Sequence, residues 1–308
     1  MLNAAAAPTY SSGNTSVTPS GTAAPDEARA AAVQFLGELA AEVSSGTVEL
    51  PCFPDIVLRI RNALADPKNT PEKTVTIVGA EPRLAARLLQ MANSAAFNSS
   101  GRPLTDLRTA VTRLGHQLVQ SAAMAFAVQH MKNESSLRPI AKPLADLWKE
   151  SIAVASISQV VARRTHVTAD EAFLTGLLHG IGRLYIMVRA VGRQSALTDR
   201  DAFFDLVSGW HPSIGKTVLE NWGFAEAMSE AVGEQLERDR RRKHDADLSD
   251  ILAASIVLAE YLSQPAPRVV AVDALAAFAT IGLSAQDCAT ILTHAEYQLA
   301  SLQDALGC

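Results

Sequence analysis

The residues of this chain whose types could do chemistry are few and scattered. His179 stands in Leu177-Leu178-His179-Gly180-Ile181-Gly182, an imidazole among apolar neighbours. Imidazole can ligate a metal or move a proton. On an apolar face it is ordinarily a hydrogen-bonded core residue. Gly176, Gly180 and Gly182 share one helical stretch with it, where each glycine costs about 1 kcal/mol against alanine. Three together predict close helix–helix approach. A phosphate-cradling loop would need a preceding strand, and none is expected there. His211-Pro212 reads as a helix start, with proline in the first turn. Arg238, Arg240, Arg241, Arg242 and Lys243 form a basic run at an expected helix end. There they would complement the helix dipole or meet an anionic partner, lipid or RNA. No aromatic side chains interleave the run to stack on bases. Cys52, Cys288 and Cys308 lie far apart, which excludes a zinc knuckle and suits a reducing cytoplasm.

The elements that must position these side chains are helices. Ile56, Val57, Ile60 and Leu64 repeat at helical spacing up to Asp66-Pro67. Leu84, Leu88, Leu89 and Met91 mark another helix after Glu81-Pro82. Leu107, Val111, Leu114, Leu118 and Val119 mark a third, whose continuation from Met124 to Met131 is apolar enough to be buried all round. Residues 132–143 carry two prolines and four charges and read as a linker between two lobes, about 46–131 and 144–262. Leu147, Val154 and Val161 resume the helical period. Asp170 is the expected cap of the helix that carries Phe173, Leu177, Ile181, Leu184 and Val188. Further helices are expected at 200–208, 211–222, 225–238, 248–263, 271–279 and 284–305. Sustained strand alternation is missing, so the class is all-α. A helix is expected over 26–45, with Asp26 at its cap. Residues 1–25 have no charged side chain and little apolar surface, the composition of a disordered tail. Residues 263–308 form a C-terminal helical extension.

The chain has 308 residues, 48% hydrophobic and 19% charged, a globular composition. No run of about 18 uncharged apolar residues occurs, so no membrane span is expected. The N-terminus does not read as a secretory signal, and the expected location is the cytoplasm. A net charge of -5 argues against nucleic acid as a partner of the whole chain.

Several segments together resemble the HDOD domains, HD-related output domains of bacterial signalling proteins. Leu50-Pro51-Cys52-Phe53-Pro54 resembles the family's Leu-Pro-x-x-Pro opening. Glu81-Pro82-Arg83-Leu84 with Leu88-Leu89-Gln90-Met91-Ala92-Asn93-Ser94, then Thr109-Ala110-Val111-Thr112-Arg113-Leu114-Gly115, resemble its first-lobe signatures. Leu147-Trp148-Lys149-Glu150-Ser151, Leu177-Leu178-His179-Gly180-Ile181-Gly182, and His211-Pro212-Ser213-Ile214-Gly215 followed by Asn221-Trp222-Gly223 complete the order. The resemblance covers about 46–262. It implies a two-lobed helical fold whose second lobe is a degenerate HD-type bundle.

The resemblance also implies where a metal site would have been. HD-superfamily hydrolases hold divalent metal with a His, an adjacent His-Asp pair and a distal Asp, and the metal supplies hydroxide to attack a phosphate ester. Here the first His falls at Glu150 and the pair at His179 and Gly180. The later His of larger sites falls at His211, a His-His doublet near Glu234 and Gln235, and the distal Asp at Glu260. Of the minimal four ligands only His179 is kept. If the arrangement holds, Glu150, His179, Gly180, His211, Glu234 and Glu260 line one vestigial pocket.

The expectation is therefore a non-catalytic signal-transduction output domain with no cofactor. It would act through a signalling protein partner or a small ligand in the groove between the lobes. Two rivals stand beside it. One is a residual metal-dependent phosphohydrolase using His179, His211, Glu150 and Glu260. The other is an anionic-partner contact through Arg238 to Lys243.

Overall fold

The computed structural model describes residues 25–46, 48, 54–98, 101–193, 200–238, 245–262, 264 and 270–306. Every regular element among them is helical. The expected tail, residues 1–25, lies almost wholly outside the described residues, as does the basic run beyond Arg238.

The first lobe holds α2 (Asp55–Ala65), α3 (Pro71–Gly79), α4 (Pro82–Asn93) and α5 (Leu107–Lys132). Local chemistry fixes the starts of three of them. Thr70 and Glu81 each accept a backbone N–H at an N-cap, and each is followed by proline at the first helical position. Asp106 accepts the N–H of Thr109 at the head of α5. Gly115 interrupts α5 with φ 71°, a conformation that costs an L side chain strain. Beyond it, residues 121–128 are all buried, as the apolar run predicts.

The second lobe holds α6 (Ala141–Ala162), α7 (Ala169–Leu178), α8 (Ile181–Ala190), α9 (Arg200–Asn221), α10 (Glu226–Glu234) and α11 (Leu248–Leu262). α6 is its central helix and is buried continuously from Ser151 to Ala162, apart from Ala153. Close crossings explain the glycines. A Cβ on Gly176 would stand 2.7 Å from the Cα of Ala155 on α6. One on Gly182 would stand 2.0 Å from the carbonyl oxygen of His211 on α9.

Five expectations are corrected. The linker at 132–143 is a 3₁₀ turn, Ser135–Ile140, running directly into α6. Leu137 and Ile140 anchor it in the core, and Pro143 falls in the first turn of α6, where no N–H is missed. Thr168, rather than Asp170, caps α7. The three glycines do not share one helix, because His179 and Gly180 separate α7 from α8. His211-Pro212 does not start a helix, since α9 runs through it. The buried stripe Val207, His211, Ile214 and Val218 continues across the proline, and tertiary packing overrides the local signal. The first helix, α1 (Pro25–Ser44), begins before Asp26.

Outside the two lobes, α1 lies along α9, while α12 (Ala276–Ile281) packs on α11. The last helix, α13 (Ala285–Leu306), spans both lobes. Its Ala295 carbonyl accepts from Ser156 on α6, and Ser301 accepts the N–H of Ala95 just beyond α4.

Candidate functional site

Four side chains from four segments meet in the second lobe. Glu150 comes from α6, His179 from the end of α7, Arg183 from the first turn of α8 and His211 from α9. His179 is completely buried, and its Nδ1 lies 2.8 Å from the carbonyl of Gly176. A carbonyl only accepts, so Nδ1 carries hydrogen. Nε2 then faces Glu150 Oε1 at 3.4 Å, and can donate to it only when the ring holds both protons. Glu150 has a closer partner. Arg183 donates through Nη1 to Oε2 at 3.0 Å and through Nη2 to Oε1 at 2.9 Å, the bidentate geometry that makes arginine–carboxylate pairs strong.

Electrostatics follow from this packing. Burial alone would raise the Glu150 pKa. Contact with the His179 ring and the charge of Arg183 more than offset it and hold the carboxyl at about 2. The His211 pKa is lowered too, but here by burial, which favours the neutral ring. Burial and then the charge of Arg183 press its imidazole down to about 3, so it is neutral at physiological pH. Its Nδ1 is buried without a hydrogen-bond partner, as are Arg183 Nε and Gln235 Oε1. Gln235 Nε2 donates to the carbonyl of His179 at 3.1 Å and ties α10 to the site.

The expected pocket residues are therefore gathered only in part. Glu150, His179 and His211 meet, as the family resemblance implies. Gly180 caps α8, and a Cβ there would stand 2.6 Å from Leu147 Cδ1 and 3.4 Å from Ser151 Oγ. The space into which an aspartate would project is thus taken by Leu147. Glu234 accepts from Ser249 at 3.3 Å, and Glu260 is exposed on the last turn of α11. Among the described residues no three His, Cys, Asp or Glu side chains could hold a metal ion together. The donor set does not fit a divalent cation. The one carboxylate beside His179 is engaged by a guanidinium, and position 180 offers no ligand atom.

Arg183 is the residue that sequence reasoning missed. The signal was present, as a lone cation between Ala172 and Val188, one helical turn after His179.

A cleft of about 250 Å³ opens over the Glu150–Arg183 pair, walled by Asp146, Leu147, Met187, Val207 and Ser208. At the junction of the lobes the spaces are smaller. A void of about 20 Å³ lies between Met124, Trp148 and Leu184, and one of about 10 Å³ between Ile60, Met124 and Trp222. Each has room for about one water. Among the described residues no helix is long and apolar enough to cross a membrane.

The HDOD domain profile matches residues 50–237, more than half of the chain. A crystal structure of a candidate metal-dependent phosphohydrolase from Shewanella amazonensis SB2B superposes with TM-score 0.70 at 23% identity, over 88% of this chain and 99% of that one. An HDOD domain protein of unknown function from Geobacter sulfurreducens superposes with TM-score 0.58 at 23% identity, over 89% of this chain and 98% of that one. At these identities the likeness is one of fold. An uncharacterized protein of Treponema pallidum (strain Nichols) is 21% identical over 210 residues, 63% of this chain. The match spans only 39% of that curated relative.

Proposed function

The chain belongs to the HDOD domain family, and from that membership we propose that it is a non-catalytic signal-transduction output domain that works by binding. The observation that carries this reading is the bidentate pair between Arg183 and Glu150. In hydrolytic HD relatives the position of Glu150 supplies a metal-ligating imidazole. Here it supplies a carboxylate whose charge is already neutralised by a guanidinium on α8. A metal at this place would have to displace Arg183 and leave its charge half-buried without a partner. The Gly180 position supports the same reading, because Leu147 stands where the aspartate would reach. The cleft over the pair, about 250 Å³, is then a recognition surface that offers a partner both an apolar wall and two fixed charges.

The test is turnover. Purified full-length protein with added manganese, iron or zinc should hydrolyse bis(p-nitrophenyl) phosphate no faster than the metal salts alone. Substitutions of exposed residues in the cleft wall, Asp146→Lys and Ser208→Tyr, should reduce capture of the native partner while leaving the melting temperature unchanged. Metal-dependent turnover above background by the unmodified chain would overturn the reading in favour of a working phosphohydrolase.

A further inference from the structure

The surface beneath α1 has the chemistry of a docking groove. α1 carries its buried residues at one stripe: Ala32, Phe35, Leu36, Leu39 and Val43, the i, i+3, i+4, i+7 anchoring of an amphipathic helix laid in a groove. Along α9 the seat is apolar, with the Phe35 and Phe203 ring centroids 6.4 Å apart. Along the last turn of α8 and the residues just after it the seat is basic. Arg193 pairs with Glu38 at 3.0 Å and also stands over the Phe35 ring at 5.7 Å. Arg189 pairs with Glu42, which also accepts from the hydroxyl of Tyr185. The helix as a whole has four acidic side chains and one basic one, so groove and helix are complementary in charge.

The fit along that edge is incomplete. A cavity of about 350 Å³ lies between α1 and the end of α8, lined by Phe35, Leu39, Val188 and Val191 and bridged by the two ion pairs. The Arg193–Glu38 pair is about half exposed on both sides, and such pairs hold weakly. α1 also lies outside the segment that the family profile matches, 50–237. Its departure would uncover Phe203, now 1% exposed, in a groove rimmed by two arginines.

We propose that this groove between α8 and α9 is a docking surface for an acidic amphipathic helix of a partner protein, and that α1 covers it from within the same chain. The groove is selective for a helix with an aromatic anchor and glutamates three and seven residues after it, the pattern of Phe35, Glu38 and Glu42. It binds when α1 lifts. The surface is separate from the Glu150–Arg183 site, and its test does not depend on that site being inactive.

Two measurements on the full-length chain decide it. Native-state amide exchange should show α1 opening at least about tenfold more often than α9. Protection of α1 equal to that of α9 would mean that it opens only with the whole lobe, and would overturn the proposal. The second uses a fluorescently labelled peptide of residues 25–46 as the probe helix. It should bind the double variant Glu38→Arg/Glu42→Arg, and separately Phe35→Ala, at least about tenfold more tightly than the unmodified chain. Adding Arg189→Glu/Arg193→Glu to either should abolish that gain. Failure of the peptide to bind both loosened variants, or equal binding to all of them, would overturn it.

Discussion

Arg183 on α8 and Glu150 on α6 are joined by two parallel hydrogen bonds, Nη1 to Oε2 at 3.0 Å and Nη2 to Oε1 at 2.9 Å. The pair links α6 to α8 beneath the cleft, and it leaves the His179 imidazole only the loose 3.4 Å approach to the same carboxylate. A planar fork is needed for this geometry, which an ammonium does not supply.

Arg183→Lys should therefore melt a few degrees below the parent, although the charge is kept. Arg183→Met should melt lower still, because the Glu150 carboxylate then loses its main counter-charge. Thermal denaturation of the three proteins at pH 7 checks this. Equal melting of Arg183→Lys and the parent would mean that the fork itself contributes nothing.

Acid should destabilise the protein through His211 before it does so through Glu150. The folded-state pKa of His211 is depressed to about 3, against about 6.5 unfolded. The unfolded chain therefore takes up a proton that the folded one refuses as pH falls below about 6.5, and stability is lost from there toward 3. By linkage this amounts to about 2 kcal/mol at pH 5. Glu150, held at about 2, contributes stability that is full above its unfolded value and is lost only as pH falls from about 4.5. His211→Gln should thus flatten the decline of stability between pH 7 and 5, measured by urea unfolding. Parallel curves for variant and parent would contradict the burial of a neutral imidazole.

The two glycines beside the site should tolerate a methyl group very differently. At Gly182 a Cβ meets the backbone carbonyl of His211 at 2.0 Å, which cannot yield without moving α9. Gly182→Ala should cost about 3 kcal/mol. At Gly180 the obstacle is the tip of the Leu147 side chain, which can rotate, so Gly180→Ala should cost about 1 kcal/mol. Urea unfolding of both variants gives the comparison, and the reverse order would refute the crossing geometry.

Gly180→Asp should lower the melting temperature and produce no phosphodiester turnover with added manganese, iron or zinc. The carboxylate would restore the His-Asp pair in sequence, but it would enter space held by Leu147 and Ser151, where an unpaired charge is costly to bury. Turnover in this single variant would show that the site stands one residue from activity.

Much of this was legible in the residues, for identifiable reasons. The helical period is strong where one face is buried, so α4, α5 and α6 could be read directly, and the glycines at 176 and 182 announced close crossings. His179 could be read as a hydrogen-bonded core histidine because its neighbours are apolar. Pro212 misled because a proline is a local signal, while α9 is held by the stripe from Val207 to Val218. Residues 132–143 misled because charge and proline mark a solvated surface without saying whether Leu137 and Ile140 beneath it are anchored. Arg183 was passed over because ligand reasoning looks for imidazoles and carboxylates, and the group that meets Glu150 is a guanidinium.

The central claim, that the Arg183–Glu150 pair leaves no site for a divalent metal, is tested most directly by the metal content of the purified full-length protein. After equilibration with a slight excess of manganese, iron or zinc and removal of the free ion, inductively coupled plasma mass spectrometry should find less than about a tenth of an ion per chain, a poor donor set giving weak affinity. Arg183→Met should not raise that figure to stoichiometry, since Gly180 still offers no ligand. One ion per chain in the unmodified protein, lost on Glu150→Gln or His179→Gln, would contradict the account.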